Sequence, residues 1–285
     1  IAILSRASHL YSTQSLFRAV RRAGHKASVV DFVECDLLLG GKKSQVLYEG
    51  RSLRGIDGVI PRVGASVTRQ GAAVIRQFEL LGVATVARSD ALLRARNKLR
   101  AFQELSHARM ELPRTIFSHF SYEPEALVDA VGGLPVVIKL LQGTHGMGVL
   151  LVENMNMATS IMETFFKTRQ RFVVQEFIRE SRGRDLRALV VDGKVVAAMK
   201  RQARGEEFRA NLHRGGRGVK VKLTQAQEAA ALKAADVLGL QVAGVDMLES
   251  ERGPLLLEVN ASPGLEGIET ITRVDVAKEI VRLLE

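Results

Sequence analysis

The sequence predicts an α/β protein that opens with a doubly wound parallel sheet and continues as α+β. Three observations carry that prediction. Short apolar runs alternate with helix-length amphipathic stretches over roughly the first 87 residues. Later apolar runs come in pairs, as in VVIKLL and VLLV around a glycine-rich loop, and DLRALVV and KVVAAMKR around an Asp-Gly pair. Finally, 285 residues, 46% hydrophobic and 25% charged, have the balance of a globular chain long enough for two or three subdomains.

Taken in order, IAILSR at 1–6 reads as a strand. STQSLFRAVRRAG follows as a helix, with Ser12 or Thr13 as cap and Gly24 as stop. KASVVDF returns to strand, IDGVIPR at 56–62 repeats it, a helix is expected over about 67–81, and ATVA is a short strand. Strands joined by helices of this length form parallel sheets. From Ser89 one helix is predicted as far as the ELP of 111–113. It carries Arg94, Arg96, Lys98 and Arg100, charges that diverge round the helix and make mostly a solvated face. TIFS is expected as a link. The middle, 102–170, holds VVIKLL, the glycine loop, VLLVEN and the helix MATSIMETFFKT. The remainder opens with RFVVQEFI, turns at Asp192-Gly193, a strong hairpin signal, and ends with a helix, a strand and LLLEVNASPGLEG.

Composition excludes several functions. No run of about 18 apolar residues is present, so no membrane-spanning helix is expected. No signal peptide pattern is visible, and the single cysteine, Cys35, fits a reducing compartment, read as cytoplasm. A net charge of +10 attracts phosphates, nucleic acids or carboxylate-rich partners. Aromatic residues make up only 5% with no Trp, a poor supply of stacking platforms, so an acidic small molecule or peptide is at least as good a partner.

Several residues break their local pattern in ways that suggest chemistry. In QGTHGMG, Gly143, Gly146 and Gly148 let backbone N–H groups approach an anion closely, although a plain glycine hairpin has the same spelling. The loop lies between two strands, unlike a dinucleotide fingerprint, which leads into a helix. Lys139 sits inside an apolar strand and needs either an anion or a path to the surface. Gln175 and Glu176 end another apolar strand, as polar groups in a small-molecule pocket do. Counting out from the Asp192-Gly193 turn pairs Asp185 with Lys200 and sets Asp185, Arg187 and Lys200 on one face, with Arg201 on the other unless a bulge intervenes; a cross-strand ion pair is the plain alternative. FRANLHRGGRG supplies Arg209, Asn211, His213 and Arg214 on a polar loop, suited to phosphate or carboxylate. GVDML places Asp246 where a hairpin would bring it beside Glu258 and Asn260, which share a strand face. Three hard oxygen donors without clustered Cys or His favour Mg²⁺ or Mn²⁺, although Asn, Pro and Gly are also ordinary turn formers.

The order Lys139, glycine loop, QEF, DLR, KR, RANLHRGG, GVD and EVNASPG resembles the ATP-grasp superfamily of carboxylate–amine ligases. NLHRGG and EVNASPGLEGIE, with SRASHLYST and IPRVG, narrow the resemblance to the RimK type. Those enzymes add L-glutamate to the C-terminal end of a ribosomal small-subunit protein and can make free poly-α-glutamate. The likeness runs from end to end. It implies an N-terminal pre-ATP-grasp domain with a linker helix over 1–101 and an ATP-grasp domain over 102–285, divided at about 170 into a central lid subdomain and a C-terminal one. It further implies ATP clamped between those two, two Mg²⁺ or Mn²⁺ ions, and a homotetramer.

Carried over residue by residue, the resemblance makes Lys139 a phosphate contact under a lid containing Gly143, Gly146 and Gly148. Glu176 and Phe177 would hold adenine, Asp185 would contact the nucleotide, and Arg209, Ala210 and Asn211 would close on it. Asp246 and Glu258 would bind one divalent ion, and Glu258 with Asn260 a second. Phe177 stands where a tyrosine is also familiar, and Ala210 where a serine is. Lys139, Arg201 and Arg209 are expected to stabilise developing charge, and Arg187 or Arg214 to hold a substrate carboxylate. The implied reaction joins L-glutamate to an acidic ribosomal-protein tail through an acyl phosphate, with no membrane and no nucleic acid required. A ligase acting on another carrier protein or small molecule, and a ribosome- or RNA-binding protein without ligase activity, are the alternatives.

Overall fold

A computed structural model describes residues 1–40, 43–118, 123–141, 148–205, 207–210 and 215–285. The chain begins with a parallel sheet of β1 (Ala2–Leu4), β2 (Ser28–Val30), β6 (Gly58–Pro61) and β7 (Ala84–Thr85), in the order β2-β1-β6-β7. Helix α1 (Tyr11–Arg22) joins β1 to β2, and α2 (Thr68–Leu80) joins β6 to β7, as the alternation predicts. Between β2 and β6 lies an antiparallel trio the apolar pattern does not disclose: β3 (Cys35–Leu38), β4 (Gln45–Tyr48) and β5 (Arg51–Ser52). Its strands are short and mostly half-exposed, so they carry little hydrophobic signature.

Two local expectations for this region are corrected. Ser12 and Thr13 do not cap α1, which starts after Leu10 without a side-chain cap. Instead Ser12 Oγ accepts from the Leu265 amide at 3.0 Å, and Thr13 Oγ1 bonds Ser5 Oγ at 2.9 Å. Gly24 does stop the helix, at φ +87°. The single helix expected from Ser89 is two, α3 (Ser89–Arg96) and α4 (Lys98–His107). Asn97 separates them in extended backbone, and its Oδ1 accepts from the Arg100 amide, capping α4. The basic run is therefore not one solvated face: Arg94 reaches the Leu238 carbonyl, Arg96 the Val63 carbonyl, and Arg100 pairs with Glu104.

The central sheet runs β10-β9-β11-β8, with β8 (Thr115–Ser118), β9 (Val136–Leu140), β10 (Val149–Val152) and β11 (Phe172–Glu176) all antiparallel to their neighbours. TIFS, expected as a link, is β8. RFVVQEFI, expected to open the last stretch, contributes β11 to the middle of this sheet. Helices α5 (Pro124–Ala130) and α6 (Met155–Lys167) cover one face over a separate core that includes Val136, Ile138, Met162 and Phe172.

The third sheet is β14-β13-β12-β15-β16, built from β12 (Arg184–Val191), β13 (Lys194–Gln202), β14 (Arg217–Lys220), β15 (Val242–Ser250) and β16 (Gly253–Asn260). Asp192 and Gly193 form its first hairpin turn with φ of 50° and 66°, the left-handed pair that suits a two-residue hairpin. Helix α7 (Gln225–Val237) packs on this sheet, and α8 (Glu266–Thr272) and α9 (Val276–Val281) lie beyond it. Two further cores mix the first and third sheets, one joining Leu4 and Ile75 with Ala188 and Val245, the other Ile3 and Leu16 with Leu189 and Ile268. The first and third sheets are thus bonded through shared cores, while the central sheet packs on its own. Among the described residues no helix is long and apolar enough to cross a membrane.

Candidate active site

Register decides what the third sheet presents. A bulge at Val196 of β13, opposite the Leu189/Val190 step of β12, shifts the hairpin by one residue, so Asp185 pairs with Arg201 and Lys200 with Leu186. The turn-counted register, with Asp185 opposite Lys200, is corrected; Lys200 instead forms an ion pair with Glu249. Arg201 comes onto the face of Asp185 and forks onto it, Nε to Oδ1 at 2.6 Å and Nη2 to Oδ2 at 2.7 Å. On the next strand Asp246 stands opposite Arg187, which grips it through Nε at 2.7 Å and Nη2 at 2.6 Å. Arg201 Nη2 also reaches Asp246 Oδ2 at 3.0 Å, joining the two pairs.

This quartet of two arginines and two aspartates is nearly sealed, with Asp185 6%, Arg201 5% and Asp246 4% exposed. Burial opposes ionisation of Asp246, but the Arg187 and Arg201 guanidinium groups outweigh it and hold its carboxyl below the usual range. Burial also opposes the charge on Arg201, and Asp246 with Asp185 more than restore it. Arg187, expected as a candidate for substrate carboxylate, has its fork on Asp246.

Glu258 lies directly opposite Asp246 across β15 and β16, next to a bulge at Asp246/Met247. Strand alternation buries Val259 and leaves Glu258 and Asn260 on the more open face. The Glu258 side chain makes no hydrogen bond or ion pair with a described residue. Asp246 Oδ2 accepts two guanidinium N–H groups, whereas Oδ1 accepts one and keeps a lone pair. Two carboxylates and an amide are hard donors that fit Mg²⁺ or Mn²⁺. The described residues hold no group of three or more His, Cys, Asp or Glu suited to a metal, so further coordination would fall to water and phosphate oxygens.

The charge of Glu258 reaches Lys139 of the central sheet. Lys139 on β9 is half-buried and donates through Nζ to Gln175 Oε1 at 2.5 Å, while Gln175 Nε2 donates to Thr115 Oγ1 at 2.8 Å. An amide oxygen holds Lys139 in place without neutralising it. Burial, reinforced by Lys98 and opposed by Glu258, lowers its ammonium to about 8. Glu176 ends β11, its backbone N–H bonded to the Arg114 carbonyl at 2.8 Å and its carboxylate to the Arg114 amide and to Arg252. Phe177 meets Phe208 edge-on at 6.5 Å. Glu176 and Phe177 line an open cleft with Leu134, Pro135 and Arg252. Nothing in the turn residue Arg252 signals that role; only the folded hairpin carries it to Glu176.

Arg209 binds Glu207 through Nε and Nη2, both at 2.8 Å, and stacks on Phe208 with 5.4 Å to the ring centre. Its Nη1 crosses to the Val149 carbonyl of β10 at 3.2 Å, so this loop touches the strand that follows the glycine-rich segment. Ala210 is buried beside it. Gly148 takes φ +71°, and a Cβ there would lie 2.7 Å from the Leu140 side chain, so both backbone and space favour glycine at this entry to β10. Gly143, Gly146, Asn211, His213 and Arg214 lie outside the described residues.

The fold is the ATP-grasp fold. The ATP-grasp ligase PsnB, solved with a phosphomimetic variant of its minimal precursor, Mg and ADP, matches at a TM-score of 0.76 with 21% identity, over 99% of this chain and 97% of that one. At that identity the likeness is one of fold. The chain belongs to the RimK family: residues 1–92 match the RimK PreATP-grasp domain and residues 95–284 the RimK-like ATP-grasp domain. A protein of Syntrophotalea carbinolica named probable alpha-L-glutamate ligase is 49% identical, covering all of this chain and 95% of its own length. Another of that name from Thioalkalivibrio sulfidiphilus is 51% identical with the same coverage.

Proposed function

We propose that this protein is an ATP-dependent carboxylate–amine ligase that joins L-glutamate to a carboxylate acceptor through an acyl phosphate. One observation carries the reading: Lys139 and Glu258, neither of which has an ion-pair partner among the described residues, lie within reach of each other's charge, with Glu258 opposite the Asp246 of the quartet. A triphosphate needs cations on one side and metal-binding carboxylates on the other. The separate core of the central sheet suits a lid that closes over such a substrate and excludes water.

An acceptor carboxylate oxygen attacks the γ-phosphorus and the bridging oxygen leaves with ADP. The glutamate amine then attacks the acyl carbon, the bond to phosphate breaks, and the amine proton passes to solvent or phosphate as the amide forms. In this reading Lys139 and Arg209 hold phosphate oxygens, and Arg201 contributes charge through Asp246 and Asp185. The residues after β11, Glu176 and Phe177, seat the adenine, with Asp185, Ala210 and Asn211 completing the nucleotide site. Divalent ions held by Asp246, Glu258 and Asn260 would supply charge neutralisation at the phosphates. No side-chain nucleophile is required.

The acceptor we propose is the acidic C-terminal tail of a ribosomal small-subunit protein, a reading supported by the RimK family and by the +10 charge of the chain. The test is ADP release with ATP, Mg²⁺ and L-glutamate, coupled to mass spectrometry of the products. A ladder of glutamate additions on the tail peptide, lost in Glu258→Ala, is expected. A ladder on a different acceptor would replace the ribosomal assignment, and no ADP with any amino acid would refute the ligase.

A further inference from the structure

The basic run and the IPRVG segment meet in the folded chain at a place the phosphate chemistry does not use. Arg62 follows the last residue of β6, and its Nη2 donates to the Pro263 carbonyl at 2.8 Å. Arg96, the last residue of α3, sends Nη2 to the Val63 carbonyl at 2.6 Å. One guanidinium is thus fixed by the residue next to the other in sequence; Arg62 abuts the loop that runs on from Asn260, and α3, which Arg96 ends, packs against β16. Both side chains are half-buried, and neither forms an ion pair with a described carboxylate.

Two atoms here are sealed from solvent without a hydrogen-bond partner among the described residues: Nε of Arg96 and Oγ of Ser262. Buried donors are normally satisfied, and exceptions mark missing partners. Burial and the charge of Arg96 together lower Arg62 to about 10, so positive charge here is undercompensated. Glu258 is the carboxylate whose field reaches Arg96, as it reaches Lys139. The C-terminal ends of strands in an open parallel sheet are where such folds take their ligands. The guanidinium fork selects carboxylate geometry.

We infer that Arg62, Arg96 and Ser262 form the seat for a substrate carboxylate, beside Glu258 and Asn260 and separate from the Lys139 phosphate contact. This rests on the ligase reading for the identity of the substrates. It also supplies what Arg187, committed to Asp246, does not offer. The carboxylate belongs either to incoming L-glutamate or to the acidic acceptor.

The test uses the full chain, saturating ATP and Mg²⁺, with L-glutamate and an acidic peptide ending in Glu-Glu varied in turn. Arg96→Gln and Arg62→Gln should each raise the KM of one of these by about 10- to 100-fold, the range for a charge-assisted hydrogen bond, with the KM for ATP unchanged. A rise for glutamate assigns the seat to the incoming amino acid, and a rise for the peptide assigns it to the acceptor. Arg96→Gln should also erase the preference for L-glutamate over L-glutamine, or for the free peptide over its C-terminal amide, which a merely structural role would not do. Should Arg62→Gln melt early, Arg96→Gln and Arg96→Lys carry the test, the lysine variant recovering part of the preference. Calorimetric titration of glutamate and peptide into the ADP–Mg²⁺ complex reads the seat without turnover. Wild-type binding lost in Arg96→Gln supports the seat even if no ADP forms, in which case only the ligase reading fails. Turnover with both KM values within twofold of wild type, or no binding of either probe to the wild type, overturns the seat.

Discussion

Replacing Asp246 by Asn keeps the shape of the quartet and removes one of its two negative charges. In the native protein Asp246 accepts from Arg187 at 2.7 and 2.6 Å and from Arg201 at 3.0 Å while only 4% exposed. The variant leaves two arginines sharing Asp185 alone, one buried positive charge in excess. Removing one partner of a buried ion pair costs about 3–5 kcal/mol, because the other charge stays desolvated. For a chain of this size that corresponds to a fall in Tm of about 5–8 °C. The assay is thermal and urea unfolding with EDTA and without nucleotide, so that loss of a metal ligand does not contribute. The pH dependence gives a second readout. Because the folded carboxyl titrates below its usual range, its contribution is present above the unfolded value of about 4 and is lost as pH falls through the folded value. The gap between wild type and variant should hold from neutral pH down to about 4 and close in stronger acid. A loss under about 1 kcal/mol, or a gap indifferent to acid, would refute a tightly coupled quartet.

Lys139 titrates near 8, below the ordinary lysine range, so kcat/KM for ATP should fall as pH rises through about 8. Lys139→Arg should remove that alkaline limb, and an unchanged limb would place it on another group. The stability sign is the reverse of Asp246: the burial cost of the Lys139 charge is fully present below pH 8 and relieved above it. Gly244→Ala would put a Cβ 2.7 Å from Pro263 Cβ, on a rigid ring. It should destabilise by about 1–3 kcal/mol in urea unfolding, and a neutral change would mean the loop after Asn260 yields freely. Thr224→Ala breaks a capping box with Gln227 at the start of α7 and should cost about 0.5–2 kcal/mol in the same assay.

What the sequence by itself determined is what lies within a few residues of chain. The alternation over the first 87 residues specifies the parallel sheet, Asp192-Gly193 the hairpin turn, and the spacing of GVD and EVN the juxtaposition of Asp246 with Glu258. Lys139 and Gln175 stood out because a polar side chain on an apolar strand is a local contradiction. Tertiary structure decided the rest, because those features depend on contacts far along the chain. The bulge at Val196 reverses which basic residue meets Asp185, and nothing in the turn announces it. Asn97 breaks a helix that periodicity would continue, and so turns Arg96 toward Val63. Ser12 bonds Leu265, 253 residues away, when its type and position suggest a cap. A strand such as TIFS becomes legible only once β11 is there to pair with it, since four half-buried residues bury too little to declare themselves.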